Sequence, residues 1–379
     1  MKKITDALHG IVNRRTGSIF NYQGWPSVCR DENGTLYAVA SGFRISHICP
    51  FGKTVMYISR NNGITWTPPI VLNDTFLDDR DAGILYMGNG RMLVTWFSHP
   101  ARFYTDEHLY GGTINRASPI NKNAAIGMID SLRFLSPEEA HGGSFIRISE
   151  DYGVTWGDTI KVPVSAPHGP SLLADGTLIY LGREMYADGL VPENSICAIE
   201  SRDGGYTWEF LSELALPEGT NDQNFHEPHV IGLPDGRLLG AIRAEGNNVP
   251  HSFTIYTTIS SDGGKSWSEP VCTDVSGSPP HLMLHSSGAL ICSYGRREEP
   301  YGEHAMVSYD YGKTWAEDYI INDNTDSSDL GYPASVELWD GSIMTIYYQK
   351  LPGDNNCSIL STKWRLPEII NEAEPRNAE

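Results

Sequence analysis

An eight-residue pattern, S-x-[DN]-x-G-x-[TS]-W, recurs five times along the 379 residues of the chain. Its copies begin at Ser59, Ser149, Ser201, Ser260 and Ser308. An Asp or Asn two residues before a Gly is typical of a tight turn between antiparallel strands. The Gly adopts positive φ, and the acidic or amide side chain bonds to the backbone of its own turn. The final Trp of each copy can pack the turn against the strand pair, so the chain must be built from repeated β units.

A second repeat is interleaved with the first and marks another set of turns. Six Gly-containing turns occur, at Gly34, Gly90, Gly176, Gly236, Gly288 and Gly341. Each is followed by a run rich in β-forming residues, such as 35–40 or 342–348. A unit therefore contains strand 1, a Gly turn, strand 2, a loop, strand 3, the S-x-D-x-G-x-T-W box and strand 4. Units of about 50 residues with four short strands predict propeller blades. Six turns predict an all-β, six-bladed β-propeller with four-stranded antiparallel blades.

The domain organisation follows from the spacing of the boxes. We expect one propeller domain over residues 1–366 and a flexible, charged tail over 367–379. The last blade, from Pro333 to Trp364, has three evident strands and no box, so an N-terminal segment around 10–20 is expected to supply its fourth strand. The first two boxes lie 90 residues apart and the others 48 to 59, which predicts an insertion over 99–143 in blade 2.

The inserted segment follows strand 2 of blade 2 and contains several aromatic and ionisable residues. These include Arg102, Tyr104, Asp106, Glu107, His108 and Tyr110. Its alternatives are a lid over a binding site, a subunit contact in a homo-oligomer, and an ordered loop along the blade edge.

Composition limits the partners and the compartment. The net charge of −19 argues against nucleic acid and anionic membranes as partners, because phosphate groups would be repelled. No apolar run approaches the ~20 residues of a membrane-spanning helix, and the two N-terminal lysines precede no apolar stretch. We therefore expect no signal peptide and a cytoplasmic location. The six cysteines form no C-x-x-C pair, so reduced thiols are expected, with no metal and no cofactor.

Strand directions predict which loops share a face. Strands of a blade alternate in direction, so the starts of strand 1 and the ends of strand 2 lie on one face of the propeller. The Gly turns and the boxes lie on the other face. Ionisable and aromatic residues are concentrated at the first set of positions: 22–26, 78–81, 167–170, 224–229, 279–281, 329–333, Arg44, His47, His99, Arg183, Arg243, Arg296, Arg297 and 347–349. Such a concentration at one end of the axis predicts a functional site there.

The boxes resemble the Asp-box, or BNR, repeat of the sialidase superfamily, whose fold is a six-bladed propeller. The resemblance extends from Tyr22 to Trp364 and is more specific for fold than for function. Sialidases use a Tyr–Glu pair, an Asp acid/base and three arginines that bind the substrate carboxylate. The resemblance implies that Glu227, which opens blade 4, and Tyr332, which opens blade 6, form that pair. It also implies that Arg44, Arg243 and Arg297 bind the carboxylate.

Blade 1 departs from the family pattern at two places. Gly24 stands where the family has its first arginine, and the stretch after Arg44 has no carboxylate. Either His47 takes the acid/base role, or a carboxylate from 78–81 does, for which Asp79 is the candidate. The other predicted substrate-binding residues are Arg80, Asp81, His168, His229 and His281. His226 and His229, three residues apart on a strand, should face opposite sides, so no metal site is expected.

These residues predict an exo-glycoside hydrolase similar to sialidases, retaining, with a Tyr nucleophile. It would release a terminal acidic sugar, sialic acid or another 2-keto-3-deoxy sugar acid, from an oligosaccharide or glycoside. A Tyr with its normal pKa of about 10 is a poor nucleophile, so Glu227 would take the proton of Tyr332. One alternative is a propeller glycosidase or lyase with a His acid/base, such as a rhamnosidase, an exo-arabinanase or a uronate lyase. The other is a non-catalytic glycan-binding propeller.

Overall fold

Strands form six antiparallel sheets around a common axis in the computed structural model, which describes residues 1–105, 119–315 and 317–367. In blades 1 to 5 the four strands that the repeats predict follow the order of the chain from the axis outward, and in blade 6 the outermost strand comes from the N-terminal segment. The predicted six-bladed, four-stranded propeller is therefore confirmed. The Gly turns join strands 1 and 2 of each blade, and the boxes join strands 3 and 4.

The strand bounds are as follows. Two short strands precede the blades, β1 (Lys2–Lys3) and β2 (Leu8–Asn13). Blade 1 contains β3 (Tyr22–Arg30), β4 (Leu36–Arg44), β5 (Lys53–Ser59) and β6 (Ile70–Asn73). Blade 2 contains β7 (Asp79–Gly88), β8 (Arg91–Ser98), β9 (Gly143–Ser149) and β10 (Ile160–Val162). Blade 3 contains β11 (Ser171–Leu172), β12 (Leu178–Arg183), β13 (Ile196–Ser201) and β14 (Glu209–Glu213).

The second half of the ring repeats the same plan. Blade 4 contains β15 (Phe225–Gly232), β16 (Leu238–Glu245), β17 (Phe253–Ser260) and β18 (Val271–Cys272). Blade 5 contains β19 (His281–Leu284), β20 (Leu290–Arg296), β21 (Gly302–Ser308) and β22 (Glu317–Asn322). Blade 6 contains β23 (Leu330–Glu337), β24 (Ile343–Gln349) and β25 (Ser358–Trp364).

The N-terminal strands join two neighbouring blades. β2 pairs antiparallel with β25 and is the outermost strand of blade 6, with Gly10 opposite Ser361. It runs over residues 8–13, earlier in the chain than the segment around 10–20 that the sequence indicates. β1 pairs in parallel with β22 and adds a fifth strand to blade 5. The N-terminal segment therefore ties the last two blades together from the outside.

Each Asp box is closed by hydrogen bonds among its own residues, as the box in blade 2 illustrates. Ser149 Oγ accepts a hydrogen bond from Gly153 N at 2.9 Å. Asp151 Oδ1 accepts one from Thr155 N at 2.8 Å, and Trp156 Nε1 donates to Gly153 O at 3.2 Å. Gly153 has φ of 77°, a left-handed conformation that favours glycine. The box residues stabilise a turn on the face opposite the candidate site, so their role is structural.

Removing the box carboxylate should destabilise the fold modestly. Asp203 accepts hydrogen bonds from Thr207 N at 2.9 Å and Thr207 Oγ1 at 2.7 Å. Replacing Asp203 with Ala should lower the free energy of unfolding by about 1 to 2 kcal/mol in urea denaturation, as loss of a capping side chain does. Asp203→Asn should cost less than half as much, because Asn61 closes the equivalent turn of blade 1 through Thr65. An equal loss for both variants would show that the charge, and not the hydrogen bonds, stabilises the turn.

The core lies between the blades. A separate cluster of buried apolar side chains fills each of the six interfaces between neighbouring blades. Between blades 6 and 1, for example, Leu36 and Ala38 pack with Ala334 and Ile346, all fully buried. Both faces of a blade are thus covered by its neighbours, which explains why the inner strands are apolar on both sides. Only the ends of the strands are free to carry functional side chains.

The insertion of blade 2 lies between β8 and β9 and is helical where the structure describes it. Its helices are α1 (Arg102–Thr105), α2 (Pro119–Leu132) and α3 (Pro137–His141). Ala125, Ile129 and Leu132 of α2 pack with Ile45 and Cys49 of blade 1. The insertion therefore supports the loop after β4. Its residues Asp106, Glu107, His108 and Tyr110, and the tail beyond residue 367, lie outside the described residues. No helix in the described ranges is long and apolar enough to span a membrane.

Candidate active site

A cavity of about 450 Å³ opens at the end of the axis where the first strands begin. All six blades contribute side chains to it. The lining residues are Trp25, His47, Ile48, Arg80, Asp81, Phe97, His99, Ser165, Ala166, Pro167, Arg183, Met185, His226, Glu227, Arg243, Glu245, Arg297 and Tyr332. Seven of the residues that the sequence singles out are brought together here: His47, Arg80, Asp81, Glu227, Arg243, Arg297 and Tyr332.

A shared backbone feature presents four of these side chains. Trp25, Asp81, Glu227 and Tyr332 each lie in a bulge near the start of the innermost strand of their blade. Their φ values are 53°, 49°, 48° and 53°, left-handed conformations that are unfavourable for residues other than glycine. In blade 3 a glycine, Gly169 with φ of 75°, stands at the matching position. Strained backbone held at four such positions is typical of a functional site.

Tyr332, Glu227 and Arg243 form a connected group on one wall of the cavity. The Tyr332 hydroxyl donates a hydrogen bond to Glu227 Oε1. Arg243 Nη1 donates to Glu227 Oε2 at 2.5 Å and to the Tyr332 hydroxyl at 3.3 Å. The phenol is therefore placed to pass its proton to the carboxylate.

The electrostatics of this group set its protonation. Burial opposes ionisation of Glu227, but Arg243 and the Tyr332 hydroxyl outweigh it, and the pKa of Glu227 is lowered. Burial and the neighbouring Glu227 charge raise the pKa of Tyr332 well above its usual value. The resting pair is thus a carboxylate next to a neutral phenol, and the hydrogen bond makes Glu227 the base that can take the phenol proton.

The arginines of the cavity differ in how far they are neutralised. Arg243 also donates to Glu245 Oε2 at 2.5 Å, so two carboxylates hold it. Arg297 donates to Leu330 O at 3.1 Å and forms no salt bridge within the described ranges. Arg80 lies 4.0 Å from the ring centroid of Trp25, and its nearest carboxylate contact is 3.7 Å. Arg80 and Arg297 are therefore the cations most available to an anionic ligand.

His47 is oriented through one ring nitrogen. Its Nδ1 lies 2.8 Å from the Tyr22 hydroxyl and 3.1 Å from Asp329 Oδ1. The Tyr22 hydroxyl itself donates to Asp329 Oδ1 at 2.8 Å, so we assign the proton of neutral His47 to Nδ1. Its Nε2 makes no hydrogen bond within the part of the chain that the structure describes. A histidine held by a carboxylate on Nδ1 can exchange a proton with a ligand through Nε2.

The structure corrects the assignment of Arg44 to the substrate. Its guanidinium is fully buried and does not border the cavity. Its Nη2 donates to Asp78 Oδ2 at 2.8 Å, and the Tyr104 hydroxyl donates to the same oxygen at 2.9 Å. Arg44 Nη2 also donates to the backbone oxygen of His47 at 3.0 Å. Arg44 is thus committed to a buried ion pair and holds the loop that carries His47.

Asp79 is also not a cavity residue, and Asp81 is the carboxyl of 78–81 that borders it. Asp79 is buried and accepts hydrogen bonds from Asn73 Nδ2 at 2.8 Å and Ser98 Oγ at 2.7 Å. It therefore closes the connection from blade 1 to blade 2. Asp81 lines the cavity, and its Oδ1 has no hydrogen-bond partner in the described ranges. Burial raises the pKa of Asp81 to about 7, against the opposing effect of Arg80.

His168, His229 and His281 lie in the interior and not in the cavity. Their ring centroids are 4.7 to 5.5 Å apart, and all three side chains are buried. Leu282 N donates to His229 Nδ1 at 2.9 Å, and Ser335 N donates to His281 Nδ1 at 3.2 Å. His229 and His281, which accept at Nδ1, therefore carry their protons on Nε2, whereas neither ring nitrogen of His168 has a hydrogen-bond partner in the described ranges. The substrate-binding role predicted for these three histidines is therefore corrected. Among the described residues no group of His, Cys, Asp or Glu is arranged to hold a metal ion.

Several cavity residues have no role in the predicted site, although Trp25 and Arg183 stand at the strand ends where the site was expected. Trp25 is buried against His47, with ring centroids 5.0 Å apart. Glu245 pairs with Arg243 and lies 3.4 Å from His226 Nε2. Two-residue alternation along β16 places Glu245 on the same side as Arg243, a signal that the sequence does contain. Arg183, which ends strand 2 of blade 3, donates to Asp222 O at 2.6 Å.

Comparison with known proteins agrees with this architecture. A family model described as the BNR/Asp-box repeat matches residues 57–68. A search of curated protein sequences finds no match. Among solved structures, a protein of unknown function from Dyadobacter fermentans is similar, with 19% identity and a TM-score of 0.74 over 96% of this chain and 100% of its own.

Two solved enzymes share the fold at lower identity. The intramolecular trans-sialidase of Ruminococcus gnavus, in complex with oseltamivir carboxylate, has 15% identity and a TM-score of 0.67 over 94% of this chain and 97% of its own. The α-L-arabinofuranosidase Arb93A of Fusarium graminearum has 13% identity and a TM-score of 0.60 over 95% of this chain and 98% of its own. The chain is therefore a six-bladed propeller that contains Asp-box repeats and shares its fold with these enzymes.

Proposed function

We propose that the cavity is the active site of a retaining exo-glycoside hydrolase that releases a terminal acidic sugar. The observation that carries this proposal is the contact of the Tyr332 hydroxyl with Glu227, which Arg243 holds in place. A phenol bonded to a buried carboxylate is a nucleophile with its base already in position. The known sialidase neighbour supports the proposal by sharing the fold.

The reaction proceeds in two steps. In the first, Tyr332 Oη bonds to the anomeric carbon, its proton passes to Glu227, and the glycosidic bond breaks. The leaving oxygen takes a proton from Nε2 of His47. In the second step His47 removes a proton from water, whose oxygen attacks the anomeric carbon. The bond to Tyr332 then breaks, and the phenol recovers its proton from Glu227.

The charges of the cavity favour an acidic sugar. Arg80 and Arg297 border the cavity, make no carboxylate contact shorter than 3.7 Å in the described ranges, and can bind a carboxylate by charge-assisted hydrogen bonds. A phenol nucleophile also avoids the repulsion that a carboxylate nucleophile would meet from such a substrate. Asp81, whose pKa is about 7, is partly protonated at neutral pH and can donate a hydrogen bond to a sugar hydroxyl.

A glycosidase acting on a neutral sugar is the second candidate. Two observations favour it: Gly24 offers no side chain where the family has its first arginine, and Arg243 is already paired with Glu227 and Glu245. The arabinofuranosidase neighbour shows that the same fold occurs in an enzyme for a neutral sugar. His47 would serve as the acid/base in this candidate too.

A substrate panel distinguishes the two candidates. We expect the protein to hydrolyse an aryl α-sialoside and to leave an aryl α-L-arabinofuranoside intact. Proton NMR of the first-formed product should show the same anomer as the substrate, because two displacements at one carbon retain configuration. Hydrolysis of the arabinofuranoside alone would favour the neutral-sugar candidate. An inverted product would exclude Tyr332 as the nucleophile, and sugar binding without turnover would indicate a glycan-binding propeller.

A further inference from the structure

Charged groups surround His47 on every side from which the protein contacts it. Asp329 and the Tyr22 hydroxyl bond to Nδ1. The backbone oxygen of His47 accepts hydrogen bonds from Arg44 at 3.0 Å and Arg80 at 3.4 Å. Arg297 borders the same cavity as the imidazole. Burial, Asp329, Arg80 and Arg297 therefore determine whether His47 is charged, and Asp81, whose pKa is about 7, lines the same cavity beside Arg80.

When the cavity holds no anion, the positive charges of Arg80 and Arg297 near His47 are not fully neutralised. The charge of Arg44 is offset by its buried pair with Asp78. Arg80 has only longer carboxylate contacts, 3.7 Å to Asp81 and 3.8 Å to Asp78, and Arg297 forms no salt bridge in the described ranges. Burial lowers the pKa of His47, and Arg80 and Arg297 lower it further, against the opposing effect of Asp329. The imidazole is therefore neutral at pH 7 and has no proton on Nε2 to give to a leaving group.

A substrate carboxylate changes that balance. Placed against Arg80 and Arg297, it would neutralise the two cations that disfavour the imidazolium ion. A unit charge about 7 Å away, at an effective dielectric constant of about 20, shifts a pKa by more than one. Burial alone would then oppose the effect of Asp329, which stabilises the charged ring through Nδ1.

We propose that His47 takes up its catalytic proton from solvent only when the carboxylate of an acidic sugar lies against Arg80 and Arg297. This inference rests on the proposed function. The proton binds to Nε2 as the substrate binds, passes to the leaving oxygen as the glycosidic bond breaks, and is replaced from the attacking water. Recognition of the carboxylate and activation of the acid are thus one event. A neutral sugar in the same cavity would leave His47 without its proton and would not be cleaved.

Proton uptake on binding tests the proposal directly. Calorimetry at pH 7, in two buffers that differ in ionisation enthalpy, measures the protons taken up when N-acetylneuraminic acid binds. We expect uptake approaching one proton for the acid and none for its methyl ester, which lacks the negative charge. The His47→Asn variant should bind the acid without uptake. In the wild type, the NMR shift of His47 Nε2 should move towards the imidazolium value only with the acid, which gives a reading that does not depend on a variant.

The outcomes separate this inference from the proposed function. Uptake that persists in His47→Asn, or equal uptake for acid and ester, would overturn the inference. Turnover of the aryl α-sialoside with no proton uptake would overturn it while leaving the hydrolase proposal standing. Failure of the acid to bind and of the sialoside to react would overturn both.

Discussion

Replacing Tyr332 with Phe should lower kcat on an aryl α-sialoside by about 10³-fold or more, while Kd for the free sugar acid changes by less than about threefold. The substitution removes the oxygen that would bond to the anomeric carbon and leaves the ring in place. The buried ring of Tyr332 keeps its contacts with Trp25 at 6.5 Å and with the Arg297 guanidinium at 5.5 Å. Steady-state kinetics and calorimetry on the same preparations measure the two quantities.

Tyr348 provides the matched control for this experiment. Its ring lies 5.9 Å from that of Tyr332, and its hydroxyl is 3.4 Å from Arg297 Nη2. Because it does not border the cavity, Tyr348→Phe should reduce kcat by less than about tenfold. If Tyr332→Phe retained turnover at a similar level, the nucleophile would be another group or a water molecule. A lyase or an inverting hydrolase with His47 as the acid/base would then explain the cavity better.

The fold is predictable because its turns are encoded locally. Each box brings its own acceptors and donors within eight residues, as Ser149, Asp151 and Thr155 do, so the turn forms wherever the pattern occurs. The parallel pairing of β1 with β22 has no such signal. It involves two lysines at the edge of a sheet and depends on an outer strand more than 300 residues away.

The candidate site was predictable in part. Glu227, Arg243, Arg297 and Tyr332 stand at strand ends on the correct face, and the order of the blades brings them to one cavity. The face of the propeller on which a strand end lies does not, however, determine how deep along the axis its side chain is placed. His168, at a similar strand entry, faces its neighbouring histidines in the interior.

For other residues, a local bulge in the strand determines whether the side chain reaches the cavity. Asp79 and Asp81 are two residues apart on the first strand of blade 2, so the alternation of side chains along a strand predicts that both point to the same side. The bulge after Arg80 and the left-handed backbone of Asp81 send only the second carboxyl to the cavity. Arg44 depends on a contact from farther away, because Tyr104 of the insertion completes its pair with Asp78. The spacing of residues along the sequence predicts neither a bulge nor an ion pair between distant residues.

Stability in acid should depend strongly on the three interior histidines. Burial lowers the pKa of His229 to about 3 and those of His168 and His281 well below the usual 6.5. A base whose pKa is lower in the folded protein binds its proton preferentially in the unfolded chain. Folding stability therefore falls as the pH falls below about 6.5. For His229 the loss between pH 7 and pH 5 is about 2 kcal/mol.

Asp79 and Asp81 act in the opposite direction over the same pH interval. Burial raises their pKa values to about 6 and about 7, so their protonation stabilises the folded protein as the pH falls. Variants of the histidines are therefore needed to isolate the effect of the rings. His229→Asn keeps an oxygen that can accept the hydrogen bond of Leu282 N and removes the titrating ring. Urea denaturation at pH 7 and pH 5 should show that it loses about 2 kcal/mol less than the wild type on acidification. His141→Asn, at an exposed position, should behave like the wild type. If His229→Asn were as acid-sensitive as the wild type, the ring of His229 would take up its proton over the same pH interval in the folded and the unfolded protein, and burial would not lower its pKa.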